Sequence, residues 1–451
     1  MPARLHRLAD DLHAGRTSAQ ALAEAALVRA EDPLGEGARV FTVLHRQRAL
    51  ALARASDLLR AAGIVRSPLE GIPVSVKDLF DIAGEVTCAG STVLRGQPAA
   101  TVDATIVQRL LAAGAVIVGR TNMTEFAFSG LGLNPHYGTP ANPWERSRGR
   151  IPGGSSSGAA VSVTDGMAAV AIGTDTGGSV RIPSAFCGLT GFKPTARRVP
   201  MDGTLPLSRA LDSIGPLAAS VRCCALVDAI LAGEPVRPLS PAELDGARLA
   251  IPAQVVLEDL DDKVARAFDA ACARLSAAGA RIRRLAIPAF ARLPALHAHG
   301  TLATADAWHL NRGFIEARAD AYDPRVLARM RPGATMGAAD LLELQAARQS
   351  WIAEVTAAAS GVDALLMPTA PIVAPEIAPL QRDDALFTRT NALVLRNPTL
   401  INFLDGCALS LPGHEPGSAP VGLMLAAPGG QDARILALAL AVEQALAQAG
   451  P

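Results

Sequence analysis

Across 451 residues the chain is half apolar and 19% charged, and its 42 basic and 42 acidic side chains leave no formal net charge. That balance describes a folded chain with length for a sizeable core, and it excludes an intrinsically disordered one. The lack of a basic block argues against a nucleic-acid or anionic-membrane partner. With aromatics at only 4%, the core has to come from Leu, Val, Ile and Ala.

In chain order, residues 3–14 and 18–31 read as amphipathic helices, the second with Thr17-Ser18 as its N-cap region. Residues 41–62 read as a longer Ala-rich helix ended by Gly63, so residues 1–65 form a helical prelude. The first stretch alternates charge and apolar residues, which reads as neither a signal peptide nor a membrane span; cytoplasm is the default location. From Pro73 the texture changes to short apolar strands separated by glycine turns and helices. Strands are expected at 72–76, 115–118 and 168–173, with helices at 104–113 and 157–166. The alternation continues through 249–252, helix 262–278 and 281–287, then resumes at 363–368 and 421–425 before a closing helix at 432–449. Residues 288–360 lack strand signals and read as a helical excursion covering a substrate pocket. Together these elements predict an α/β fold with helices layered on a sheet.

The six cysteines (Cys88, Cys187, Cys223, Cys224, Cys272 and Cys407) contain no C-x-x-C pair. Adjacent cysteines are poor geometry for a bridge, so buried reduced thiols in a cytosolic protein are expected. No metal is expected: the eight histidines contain no H-E-x-x-H, and the pair His297 and His299 is a weak candidate on its own.

The chemistry gathers in Gly153-Gly154-Ser155-Ser156-Ser157-Gly158 and Gly177-Gly178-Ser179. Glycine lets the backbone turn tightly and approach a ligand, and a serine in such a turn exposes its hydroxyl beside backbone N–H groups. Upstream, Gly71-Ile-Pro-Val-Ser-Val-Lys77-Asp78 sets a lysine at the end of an apolar stretch. One lysine and two serines make a workable nucleophile set without histidine, which points to hydrolysis of an amide bond. A phosphate-cradling loop is the rival reading of the glycines, but the string G-x-x-x-x-G-K-[ST] is absent. Ser156 and Ser157 read as loop-orienting or helix-capping residues, Asp175 and Arg181 as a buried pair supporting the turn, and Cys187 as a packed small residue.

These motifs, with Gly119-Arg-Thr-Asn122-Met-Thr-Glu125-Phe, Gly173-Thr-Asp175-Thr and Phe186-Cys-Gly-Leu-Thr-Gly-Phe-Lys193-Pro194, resemble the amidase signature family. The likeness is dense over residues 65–220, with a late echo at Asn402–Pro412; Ala159 departs from it where a serine is common. The resemblance implies a single α/β/α domain over residues 1–451 around a large mixed, twisted sheet, with no cofactor. It implies Ser179 as nucleophile, Ser155 as bridging serine after a cis Gly154–Ser155 peptide, and Lys77 as base. The N–H groups of Thr176, Gly177, Gly178 and Ser179 would form the oxyanion hole. Met123, Gly154, Phe126, Phe128 and the segment 297–331 are candidates for the pocket lining. Tyr322, Arg325, Arg329 and Arg331 are weighed as an anion clamp against a solvated helix face, and Arg325 is taken as the substrate-binding candidate. The expected partner is a small amide, with a homodimer possible. A glutaminase subunit of a transfer-RNA-dependent amidotransferase and an allophanate-type ureido-acid hydrolase stand as alternatives.

Overall fold

A computed structural model describes residues 4–448, so residue 3 of the first expected helix and residue 449 of the last lie outside the described residues. Eleven strands form one mixed sheet. In chain order they are β1 Phe41–Leu44, β2 Pro73–Lys77, β3 Val116–Thr121, β4 Val170–Asp175, β5 Thr190–Lys193, β6 Ser213–Ala218, β7 Arg248–Pro252, β8 Arg281–Leu285, β9 Ala364–Pro368, β10 Cys407–Pro412 and β11 Gly422–Ala427. Their spatial order is β1-β3-β2-β4-β6-β5-β10-β11-β9-β7-β8. β2 pairs in parallel with β3 and β4, and β7 with β8 and β9, while the middle of the sheet is antiparallel. Helices cover both sides, the α/β architecture expected. Every residue of β2, β3, β4, β6, β9 and β11 is buried, as strands covered on both faces should be.

The prelude differs from expectation at one place. Residues 41–44 are not helical: Phe41-Thr-Val-Leu44 forms the edge strand β1, with Phe41 opposite Thr121, and the helix begins only at Arg46. An aromatic followed by β-branched residues fits a pleated surface better than a helix. Four strands (β1, β5, β6 and β10) carry too little alternation to be legible from sequence.

Two packing devices aim the sheet at one crevice. Because β2 and β4 run parallel, their carboxyl ends lie side by side, the place where open α/β sheets present ligands. Lys77 ends β2, and β4 ends at Asp175, immediately before the Thr176–Ser179 turn. Opposite, the helices Ala289–Leu296, Leu302–Arg318, Pro324–Met330 and Ala338–Ala358 occupy the expected excursion. Trp351 fastens the last of these: its Nε1 donates to the Ala289 carbonyl at 2.7 Å, and its ring meets Phe290 and Phe403. Among the described residues no helix is long and apolar enough to cross a membrane, and all six cysteines are free.

Candidate active site

Lys77 is fully buried, and its Nζ donates to Ser155 Oγ at 2.7 Å and Thr174 Oγ1 at 2.8 Å. The β2–β4 register explains both contacts, since Val76 lies opposite Ile172 and Lys77 therefore reaches the end of β4. Burial lowers Lys77 to about 7, against the charges of Asp212 and Asp175, which favour its ammonium form. Lys193, the other fully buried lysine, is spent on the carbonyls of Pro194 and Gly406. The Gly154–Ser155 peptide is cis. The serine loop can lie against β4 because position 173 is glycine: a Cβ there would come within 2.7 Å of Ser156 Oγ. Neither Ser156 nor Ser157 caps the following helix through its side chain; their hydroxyls make long contacts to the carbonyls of Thr174 and Asn122.

Ser179 meets the serine loop where the Ser156 N–H donates to the Ser179 carbonyl at 3.3 Å. The turn that carries it is organised by Asp175, which accepts from the N–H groups of Gly178, Val180 and Arg181 and from the Arg181 guanidinium. Asp175 and Arg181 are both wholly buried, with 2.9 Å between charged atoms. Burial alone would raise the Asp175 carboxyl, but the Arg181 charge overrules it and holds the group well below the usual carboxylate range. Asn402, from the late echo, donates to Asp175 as well. The expected support for the turn is therefore present. Gly178 is a correction to the four-donor oxyanion hole, because its N–H is committed to Asp175 Oδ1 at 2.8 Å. The N–H groups of Thr176, Gly177 and Ser179 have no hydrogen-bond partner among the described residues.

A cavity of about 170 Å³ adjoins this turn, lined by Thr176, Gly177 and Ser179 together with His297, Thr301 and Arg329. Of the expected lining residues, Phe128 takes its place in the wall. Met123 does not: it is wholly buried in an apolar cluster, where it packs with Leu79 and Phe126. Gly154 does not either: it is buried against Gly132 and Thr124, with its N–H donating to the Gly130 carbonyl. Arg325 is turned away, its Nε donating to Asp384 Oδ1 at 2.7 Å and its guanidinium lying over Phe387. The arginine that faces the cavity is Arg329, one helical turn further on. Its position, three after buried Val326 and one before buried Met330, was the only sequence signal of an inward face. Asp212 escaped the sequence reading entirely: it accepts from Thr176 Oγ1 and the N–H groups of Leu207 and Ser208, and burial pushes it up to about 6. Cys187 is buried, and its thiol donates to the Pro152 carbonyl. A larger cavity of about 610 Å³ lies beside the N-terminal helix near His6 and Cys223 and includes none of Lys77, Ser155 or Ser179.

The amidase family model matches residues 22–436. The chain is 36% identical to the 2-amino-5-chloromuconic acid deaminase of Comamonas testosteroni, over 89% of this chain and 87% of that one. It is 33% identical to a glutamyl-tRNA(Gln) amidotransferase subunit from Chromohalobacter salexigens, over 98% and 96%. A crystal structure of an amidase superposes with a TM-score of 0.87 at 33% identity, covering 98% of this chain and 99% of the other. With the family model, the relatives and the fold in agreement, this chain belongs to the amidase family, the amidase signature hydrolases of amide carbon–nitrogen bonds.

Proposed function

We propose that the protein hydrolyses a small carboxamide through an acyl-enzyme on Ser179, with Ser155 and Lys77 as its proton relay. The observation that carries this reading is the Lys77 Nζ contact to Ser155 Oγ at 2.7 Å inside a fully buried pocket. An ordinary lysine is protonated at neutral pH, whereas one held near 7 is neutral in about half of the molecules and can accept a proton. In the proposed sequence Ser179 Oγ attacks the amide carbonyl carbon, and its proton passes through Ser155 Oγ to Lys77. The developing oxyanion is met by the free N–H groups of Thr176, Gly177 and Ser179, one such donor being worth about 2.7–4 kcal/mol of barrier. As the C–N bond breaks, Lys77 returns the proton by way of Ser155 to the departing nitrogen, and ammonia or an amine leaves. Water then attacks the Ser179 ester carbonyl and gives one proton to the same relay, which returns it to Ser179 Oγ as the C–O bond breaks; the carboxylic acid departs and ionises, its proton going to the released ammonia or amine.

The test is release of ammonia from a panel of aliphatic, aromatic, ureido-acid and glutamine amides, with labelling of Ser179 by a neutral fluorophosphonate. Wild type should turn over at least one amide and take the label, and Ser179→Ala should lose both, with kcat down by at least about 10³-fold. A wild-type chain that neither turns over nor labels defeats the proposal. A glutaminase subunit is the second reading, favoured by the end-to-end likeness to an amidotransferase subunit. It predicts turnover of glutamine alone, and only with partner chains added.

A further inference from the structure

The cavity that Ser179 lines also holds a charge with no partner among the described residues. Arg329 makes no ion pair or hydrogen bond among the described residues, and its Nε is buried without an acceptor. Its guanidinium instead lies 4.7 Å from the centre of the Phe128 ring, a contact that supports a cation without neutralising it. The residue as a whole keeps some accessible surface because it lines the cavity. Burial lowers it only to about 10, so it is charged at neutral pH. A desolvated, uncompensated cation is expensive to maintain, and the neighbouring arginine shows the contrast: Arg325 is already paired with Asp384.

The rest of the wall says what the cation is for. Among the described residues that line the cavity none is acidic, and His297, which burial lowers to about 4, is neutral. The remaining wall is apolar or hydroxylic, including Leu207, Leu395, Phe403 and Thr399. One cation and no anion suit a ligand that brings one negative charge and no positive one. The cavity is also small beside the ~300–1,000 Å³ of pockets for drug-sized ligands. We propose that Arg329 receives a carboxylate of the substrate, so that the enzyme acts on a short amide or ureide bearing one carboxylate and no ammonium, such as the half-amide of a small dicarboxylic acid. An arginine fork grips such a group through two parallel N–H donors. Glutamine is disfavoured because its ammonium would enter the cavity with no carboxylate to meet it. The assignment rests on the reading of Ser179 as nucleophile, since the carboxylate and the scissile amide have to share this one cavity.

The experiment compares kcat/KM for malonamate, succinamate and ureidoacetate with that for propionamide, butyramide and L-glutamine, in wild type, Arg329→Met and Arg329→Lys. Wild type should favour at least one acid over its neutral counterpart and over glutamine by about 100-fold, the scale of a buried charge pair. Arg329→Met should collapse the acid-to-neutral ratio towards one, and Arg329→Lys should keep part of it. The ratio is read within each variant, so a general loss of folded enzyme cancels. A wild-type ratio near one, an unchanged ratio in Arg329→Met, or a preference for glutamine overturns the assignment. Calorimetric titration with malonate and succinate reads the same site without turnover: binding by wild type that Arg329→Met lacks supports it, and no binding by wild type overturns it. Failure of Ser179 to take the fluorophosphonate sinks the amidase mechanism by itself, separately from these outcomes.

Discussion

A lysine that acts as a base has to be unprotonated, and for Lys77, the base of the proposed relay, that condition is set by its surroundings. Burial moves Lys77 down to about 7 while Asp212 and Asp175 hold it back. The sign follows: the working form is lost as pH falls through about 7, so kcat/KM should rise across that value and level off above it. Asp212→Asn removes one of the charges that favours the ammonium, and its acid limb should lie up to about one pH unit lower. A limb that stays put or moves upward would show that Lys77 is not the group titrating. Lys77→Met should cost about 10²–10⁴ in kcat/KM, the usual worth of a general base, as measured on the best substrate of the panel. That Lys77 and two serines belong together was legible from their motifs. Asp212 was not, because its relation to Lys77 comes from a neighbouring strand end rather than from spacing along the chain.

At the scale of elements, the Thr176–Ser179 turn is shaped by position 178. Gly178 sits at φ +126°, and a Cβ there would come within 2.6 Å of Pro398 and 2.7 Å of Ile182. Gly178→Ala should therefore destabilise the fold by about 1–3 kcal/mol and lower turnover, read by thermal unfolding and by ammonia release. Gly177→Ala is the comparison, because a Cβ there meets nothing nearer than Thr399 Oγ1 at 3.3 Å; its unfolding temperature should fall less. Equal losses at both positions would refute the packing argument. The glycine-rich turns stood out in the sequence because few residues tolerate such backbones. Strand β1 did not, since its four residues run directly into an Ala-rich helical pattern and its partner β3 lies far along the chain.

At the scale of the whole molecule, the sheet joins sequence-distant halves. β5, paired with β6 on one side, pairs with β10 on the other, and β10 leads through β11 and β9 to β7 and β8. We propose that residues 4–448 fold as one domain for this reason. A fragment of residues 1–240 would end its sheet at β5 with an unpaired edge, and it should be insoluble or unfold without a cooperative transition by circular dichroism. A soluble fragment with a sharp transition would show instead that the first half is a domain in its own right. The late motif points the same way, because Asn402 closes hydrogen bonds onto Asp175 from the far side of the chain.

The sequence by itself determined the α/β class and the family resemblance, and it singled out Lys77, Ser155 and Ser179 as the residues of the proposed relay. These depend on local requirements: glycine where the backbone turns sharply, and particular side chains where the proposed relay would move a proton. Only the tertiary structure decided what surrounds them. It committed the Gly178 N–H to Asp175, buried Met123 and Gly154, and paired Arg325 with Asp384 while leaving Arg329 in the cavity wall without a partner among the described residues. Arg325 and Arg329 are one helical turn apart and chemically identical. Which of them is paired and which lines the cavity depends on the partners that other segments bring, and linear spacing carries no record of those.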